Sequence, residues 1–120
     1  MAKKRILIFD DDLATLEVLQ IVLVDVGYEI DISPTSHNII ERVSDFVPDL
    51  VLMDHQIPDI GGVAAIKLLR TYREFAKIPV LLVSASNQIV SLKNVSGADD
   101  YIRKPFDLGD LETLIMKYLG

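Results

Sequence analysis

Along the chain, short apolar runs alternate with amphipathic stretches, and each change of pattern falls at a glycine, a proline or a cluster of acids. Arg5-Ile6-Leu7-Ile8-Phe9 is a β-branched and aromatic run that predicts a central strand, ending abruptly at Asp10-Asp11-Asp12. From Leu13 to Val26, the residues Leu16, Leu19, Leu23 and Val26 keep helical spacing, with Asp12 as the N-cap and Gly27 as the stop. Glu29-Ile30-Asp31-Ile32-Ser33 alternates polar and apolar positions, as a half-exposed edge strand does, and Pro34 closes it. Ile39, Ile40, Val43 and Phe46 mark a second helix, and Leu50-Val51-Leu52-Met53 is a buried strand running into Asp54. Val63, Ile66 and Leu69 give a third helix, Val80-Leu81-Leu82-Val83 a strand ending at Ser84, and Gln88 to Val95 a weak helix stopped at Gly97. A short strand, Tyr101-Ile102-Arg103, breaks at Lys104-Pro105, and Leu108, Leu111, Ile115 and Tyr118 line a last helix.

All five prolines fall at element boundaries, and the strand-then-helix unit occurs five times without internal sequence repeats. Right-handed crossovers then predict a doubly wound, three-layer α/β sandwich with a parallel sheet in the order 2-1-3-4-5. In that topology the carboxyl ends of strands 1, 3, 4 and 5 converge near the switch point, where open α/β sheets bind ligands. Those ends carry Asp10 and Asp11, Asp54, Ser84 and Lys104.

Composition narrows the chemistry. A chain of 120 residues fits one domain, and 50% hydrophobic residues with a mean hydropathy of +0.33 suit a sheet covered on both faces. No apolar run approaches a bilayer span and Lys3-Lys4-Arg5 lacks the apolar stretch of a signal peptide, so a soluble cytoplasmic protein without membrane insertion is expected. There is no cysteine, and the two histidines lie in separate segments, so any metal would be a hard one held by oxygen. A net charge of −6 would repel phosphate backbones, which argues against direct nucleic-acid binding.

Three carboxylates in one crevice repel each other unless something neutralises them. Magnesium, or manganese in its place, suits a shallow site with few direct carboxylates. A phosphoryl group would complete that shell, with Asp54 as acceptor of an acyl phosphate, Lys104 as the cation and Ser84 as the hydroxyl. Blander readings exist for the same residues. Asp10 to Asp12 could be only a helix cap with solvated neighbours, although one aspartate suffices for a cap; Lys104 could pair with Asp99 or Asp100 at the surface, and Tyr101 could be a half-buried edge aromatic. Asp99 and Asp100 read as a solvated turn. The first helix is apolar beyond its core stripe, at Val18, Ile21, Val22 and Val24, which implies either deep cover or a contact patch.

Ile8-Phe9-Asp10-Asp11-Asp12, Leu52-Met53-Asp54 with Pro58 and Gly62, Val83-Ser84-Ala85, and Gly97 through Phe106 occur in order at strand ends. With them the chain resembles the receiver domain of two-component response regulators, a flavodoxin-like fold, over essentially its whole length. The resemblance implies one receiver domain over 1–120 with no output domain, a switch that catalyses only its own phosphorylation and dephosphorylation. Asp54 would accept a phosphoryl group from a sensor histidine kinase or a phosphotransfer protein. Asp11 would bind magnesium directly, Asp10 through water, and Gln56 through its backbone carbonyl, beside Asp54. Ser84 and Lys104 would hold phosphoryl oxygens, Tyr101 would swing inward with Ser84, and the Lys104-Pro105 bond would be cis. The fourth helix, fifth strand and fifth helix would form the face that meets a downstream protein. Gln56 and Ser86 would flank the path of attacking water.

Three features depart from the family pattern. Ser84 stands where threonine is more usual, keeping the hydroxyl. His55 follows the acceptor where an apolar residue is more usual, and is expected to face away from the pocket. The segment from Ser84 to Lys104 is about two residues short, which removes part of a turn from the fourth helix.

Two other functions fit some of the same residues. Phe9-Asp10-Asp11-Asp12 is similar to the nucleophile loop of haloacid-dehalogenase-type phosphatases, with Asp10 as nucleophile and Asp12 as general acid. That reading leaves Pro58 and Gly62 without a role and lacks an insertion to enclose a substrate. A flavodoxin-like cofactor binder is disfavoured because three aspartates would repel the cofactor phosphate.

Overall fold

The computed structural model describes residues 2–120. Five strands, β1 (Arg5–Phe9), β2 (Glu29–Ser33), β3 (Leu50–Asp54), β4 (Val80–Ser84) and β5 (Asp100–Arg103), form one sheet in the order β2-β1-β3-β4-β5. All neighbouring pairs are parallel. The helices α1 (Leu13–Val26), α2 (Ile39–Phe46), α3 (Gly62–Arg70), α4 (Ile89–Ser96) and α5 (Leu108–Leu119) make the crossovers. A 3₁₀ turn at Arg73–Phe75, for which the sequence pattern gave no sign, follows α3.

Strand alternation sorts the core into two layers. Leu7, Phe9, Val51, Met53, Val80 and Leu82 face α2, α3 and the start of α4, burying Val43, Ile66, Leu69 and Ile89. Ile6, Ile8, Leu50, Leu52 and Leu81 face the other way, onto Leu16, Leu19 and Leu23 of α1 and Leu111 and Ile115 of α5. Burial on both faces explains why β1, β3 and β4 read as continuous apolar runs while β2 alternates.

The outer face of α1 is not covered: Leu13 is 69% and Ile21 64% exposed, with Val18, Val24 and Val26 exposed beside them. The weak helix expected at 88–95 lies at Ile89–Ser96. Asp99 and Asp100 are a partial correction: Asp99 is exposed in a bend as expected but its carboxylate is tied down, and Asp100 is not in the turn. Asp99 accepts from the Val80 N–H at 2.8 Å and from Arg70 Nη2 at 2.7 Å, and Asp100 opens β5. Among the described residues no helix is long and apolar enough to cross a membrane.

Candidate functional site

The register fixes which side chains meet. Phe9 pairs with Met53 and Asp54 with Val83, so the acids following β1 stand beside the acid that ends β3. Carboxylate oxygens of Asp10, Asp11 and Asp54 all lie within 4.8 Å of one another. Asp10 and Asp54 are buried and Asp11 is exposed. Asp12 takes the capping role instead: its carboxylate accepts from the Ala14 N–H at 3.1 Å and the Thr15 hydroxyl at 2.8 Å, and the Thr15 bond holds its pKa down. One aspartate caps the helix and the others are left for the pocket.

Lys104 directly follows β5 and is joined to Pro105 by a cis peptide bond. Its Nζ sits 2.8 Å from Asp54 Oδ1 and 3.1 Å from Asp10 Oδ2, so the surface pairing with Asp99 or Asp100 does not occur. Asp10 is held from the other side by the Asp12 N–H at 2.9 Å. Burial raises the pKa of Asp54; the Lys104 bond opposes the rise, and the charges on Asp10 and Asp11 add to it. Burial alone would lower Lys104, but its bonds to Asp54 and Asp10 outweigh it and hold the ammonium above the ordinary lysine range. One cation among three carboxylates leaves surplus negative charge lined by hard oxygens, a donor set that fits a divalent cation.

A cleft of about 550 Å³ opens over this cluster, lined by Asp11, Asp54, Gln56, Ser84, Ser86 and Lys104 among others. Ser84 is 3% exposed, and its Oγ accepts from the Ser86 N–H at 3.0 Å. The loop after Asp54 is pinned at Gly62, whose N–H donates to the His55 carbonyl at 2.9 Å. A Cβ at Gly62 would fall on the Asp54 carbonyl, so only glycine permits this approach. The Pro58 carbonyl is fixed by the Ser36 hydroxyl at 2.8 Å.

His55 is the second correction. It does not face away: it lines the cleft, with Nδ1 3.0 Å from Ser84 Oγ. The register decides this: Asp54 pairs with Val83, so His55 and Ser84, one residue beyond each, are the next pair along. Tyr101 is outside the cleft lining, half-buried against the α3–α4 layer with the Arg103 guanidinium 5.9 Å from its ring centre.

The model of the response regulator receiver domain matches residues 6–116. The chain belongs to that family. The DNA-binding response regulator MtrA of Mycobacterium tuberculosis is 35% identical over 106 residues, covering 87% of this chain and 45% of MtrA. This receiver chain therefore spans under half the length of that relative. A CheY-like response regulator receiver domain protein of Methanospirillum hungatei superposes with a TM-score of 0.87 at 30% identity, covering 97% of this chain and 93% of its own. The receiver domain of a sensor histidine kinase from Pseudomonas aeruginosa, solved with magnesium coordinated in its active-site cleft, shares the fold at TM-score 0.88 and 22% identity, covering 99% of each chain.

As a receiver domain the chain is a phosphoacceptor with an acidic pocket, a signalling switch rather than an enzyme for an external metabolite. The phosphatase alternative also loses its general acid, because Asp12 is spent on capping α1.

Proposed function

We propose that this receiver takes a phosphoryl group onto Asp54 from a phosphohistidine of a sensor histidine kinase or phosphotransfer protein, with magnesium or manganese in the acidic cleft. The observation that carries the reading is the packing of Asp10, Asp11 and Asp54 within 4.8 Å, bridged on one side only by Lys104. A bound divalent cation would neutralise phosphoryl oxygens. Asp11, Asp54 and the Gln56 carbonyl would hold it directly and Asp10 through water.

The chain's own residues do the rest. An Asp54 oxygen attacks phosphorus as the P–N bond breaks, and the bonding electrons leave with the donor imidazole. Lys104, already against Asp54, takes a phosphoryl oxygen, and the Ser84 hydroxyl takes another. Tyr101 then follows Ser84 inward, which alters the α4–β5–α5 face. Val90, Val95 and Met116 on that face are 45%, 59% and 57% exposed, and suit a protein contact. The exposed apolar side of α1, beside a recess formed with Pro105 and Phe106, suits docking of the phosphoryl donor. In this reading residues 1–120 act as one cytoplasmic receiver domain and the signal leaves by contact with a protein surface. Its charge of −6 makes direct nucleic-acid binding by these residues unfavourable.

The test is intact mass after incubation with magnesium and a small acyl phosphate. One phosphoryl mass mapped to Asp54 and lost in Asp54→Ala is expected. An adduct on Asp10 that persists in Asp54→Ala would overturn the assignment.

A further inference from the structure

We propose that His55 is a positioning residue for Ser84: its imidazole holds the serine hydroxyl until a phosphoryl oxygen on Asp54 competes for it. The inference deepens the phosphoacceptor reading and rests on it. The parallel ladder brings the two together. Asp54 pairs with Val83 and the His55 N–H continues the ladder to the Val83 carbonyl at 2.8 Å, so His55 and Ser84 are the next pair along, on one face.

The chemistry follows from counting protons. Ser84 Oγ accepts from the Ser86 N–H and lies 3.0 Å from His55 Nδ1. A hydroxyl has one proton to give. Among the described residues, Nδ1 is the acceptor within reach of it, and at 3% exposure Ser84 is too buried to leave that proton unpaired cheaply. In the proposed arrangement Ser84 donates to Nδ1, and the ring carries its own proton on Nε2. A hydroxyl committed in this way cannot also donate to a phosphoryl oxygen. Recruiting Ser84 exchanges one hydrogen bond for another, a competition that an apolar residue at position 55 would not offer.

Two measurements test this. The first is ¹⁵N spectroscopy of the His55 ring at alkaline pH. It should show the Nε2–H tautomer in the parent and a redistribution between tautomers in Ser84→Ala. The second is titration with beryllofluoride, a tetrahedral phosphoryl mimic, in the presence of magnesium. His55→Phe should bind it roughly fivefold more tightly, the equivalent of one neutral hydrogen bond released. His55→Asn carries an amide oxygen branching from Cγ as Nδ1 does, and should stay within about twofold of the parent. In a Ser84→Ala background, His55→Phe should change nothing.

Equal affinity in the parent and His55→Phe would overturn the inference. So would a gain that persists without the Ser84 hydroxyl, or a ring spectrum indifferent to Ser84→Ala. Absence of beryllofluoride binding by the parent would instead overturn the phosphoacceptor reading, and the inference with it; failure of the inference alone leaves parent binding intact.

Discussion

At the amino-terminal end of the sheet, Arg5 donates through Nε to Glu29 at 3.0 Å and through Nη1 to the Phe46 carbonyl at 2.8 Å, while its backbone N–H meets Asp49 at 2.8 Å. Arg70 there ties Asp99 at 2.7 Å and the carbonyls of Gly97 and Ile78 at 2.9 and 2.8 Å. At the carboxyl-terminal end, Asp10 and Asp54 share Lys104, with the Asp11 carboxylate close beside them. At the first end Glu29, Asp49 and Asp99 each meet a donor from an arginine residue, and at the second negative charge is left over. Matched charge holds strand ends in place and does nothing more. Unmatched charge costs stability, and a divalent cation that relieves the repulsion binds correspondingly better.

The largest effect should come from unmatching the amino-terminal end. Arg70→Ala would strand Asp99 without its cation and leave the carbonyls of Gly97, Ala76 and Ile78 without side-chain donors. The Arg70 side chain is only 19% exposed, so a loss of about 3 kcal/mol in urea unfolding is expected. The metal response should survive, because nothing at the cleft has changed. Loss of that response in Arg70→Ala would show that the two ends are not independent.

The next effect concerns the unmatched end. Magnesium at a hundred times its dissociation constant should stabilise the parent by about 2.7 kcal/mol, simply because it binds the folded chain alone. Asp11→Asn should be slightly more stable than the parent without metal, since one repelling charge is gone, and should lose most of the magnesium increment. The check is paired denaturation curves with magnesium and with chelator. An Asp11→Asn protein less stable than the parent in chelator would remove the claim that this end is strained.

This contrast was partly legible in the sequence. β1, β3 and β4 announced themselves as apolar runs because both faces of the sheet are covered, and the acids and the lysine at their ends could be placed by topology alone. The aspartate run also divided as capping chemistry requires, with Asp12 on the helix. What could not be read depends on contacts between distant segments. Asp99 looks like a turn residue until Arg70, 29 positions away, is brought against it. His55 looked idle because the pattern gives each strand's alternation but not the pairing offset between β3 and β4, and that offset sets it beside Ser84. Val47, β-branched and followed by Pro48, ends α2 at φ 53°, a left-handed conformation that local propensity argues against.

The smallest expected effect sharpens the comparison through pH. Asp100, at the amino-terminal end of β5, accepts from the Tyr118 hydroxyl at 2.9 Å and from Lys117 Nζ at 3.2 Å. Burial, and then the Asp100 carboxylate, push the Tyr118 phenol from 10.0 up to about 12. The folded chain therefore holds that proton more tightly than the unfolded chain does. Its contribution to stability is complete below pH 10.0 and is lost as the pH rises towards about 12. Tyr118→Phe should cost about 1 kcal/mol at neutral pH, the value of one partly solvated hydrogen bond to a charged acceptor. The gap between the parent and the variant should close across that alkaline interval when unfolding is followed at a series of pH values. A gap that stays constant with pH would mean that the hydroxyl contributes packing only. Because Asp100 is already matched by Lys117, the magnesium increment at the opposite end should be the same in both proteins, and a variant that lost it would join two regions that the charge pattern keeps apart.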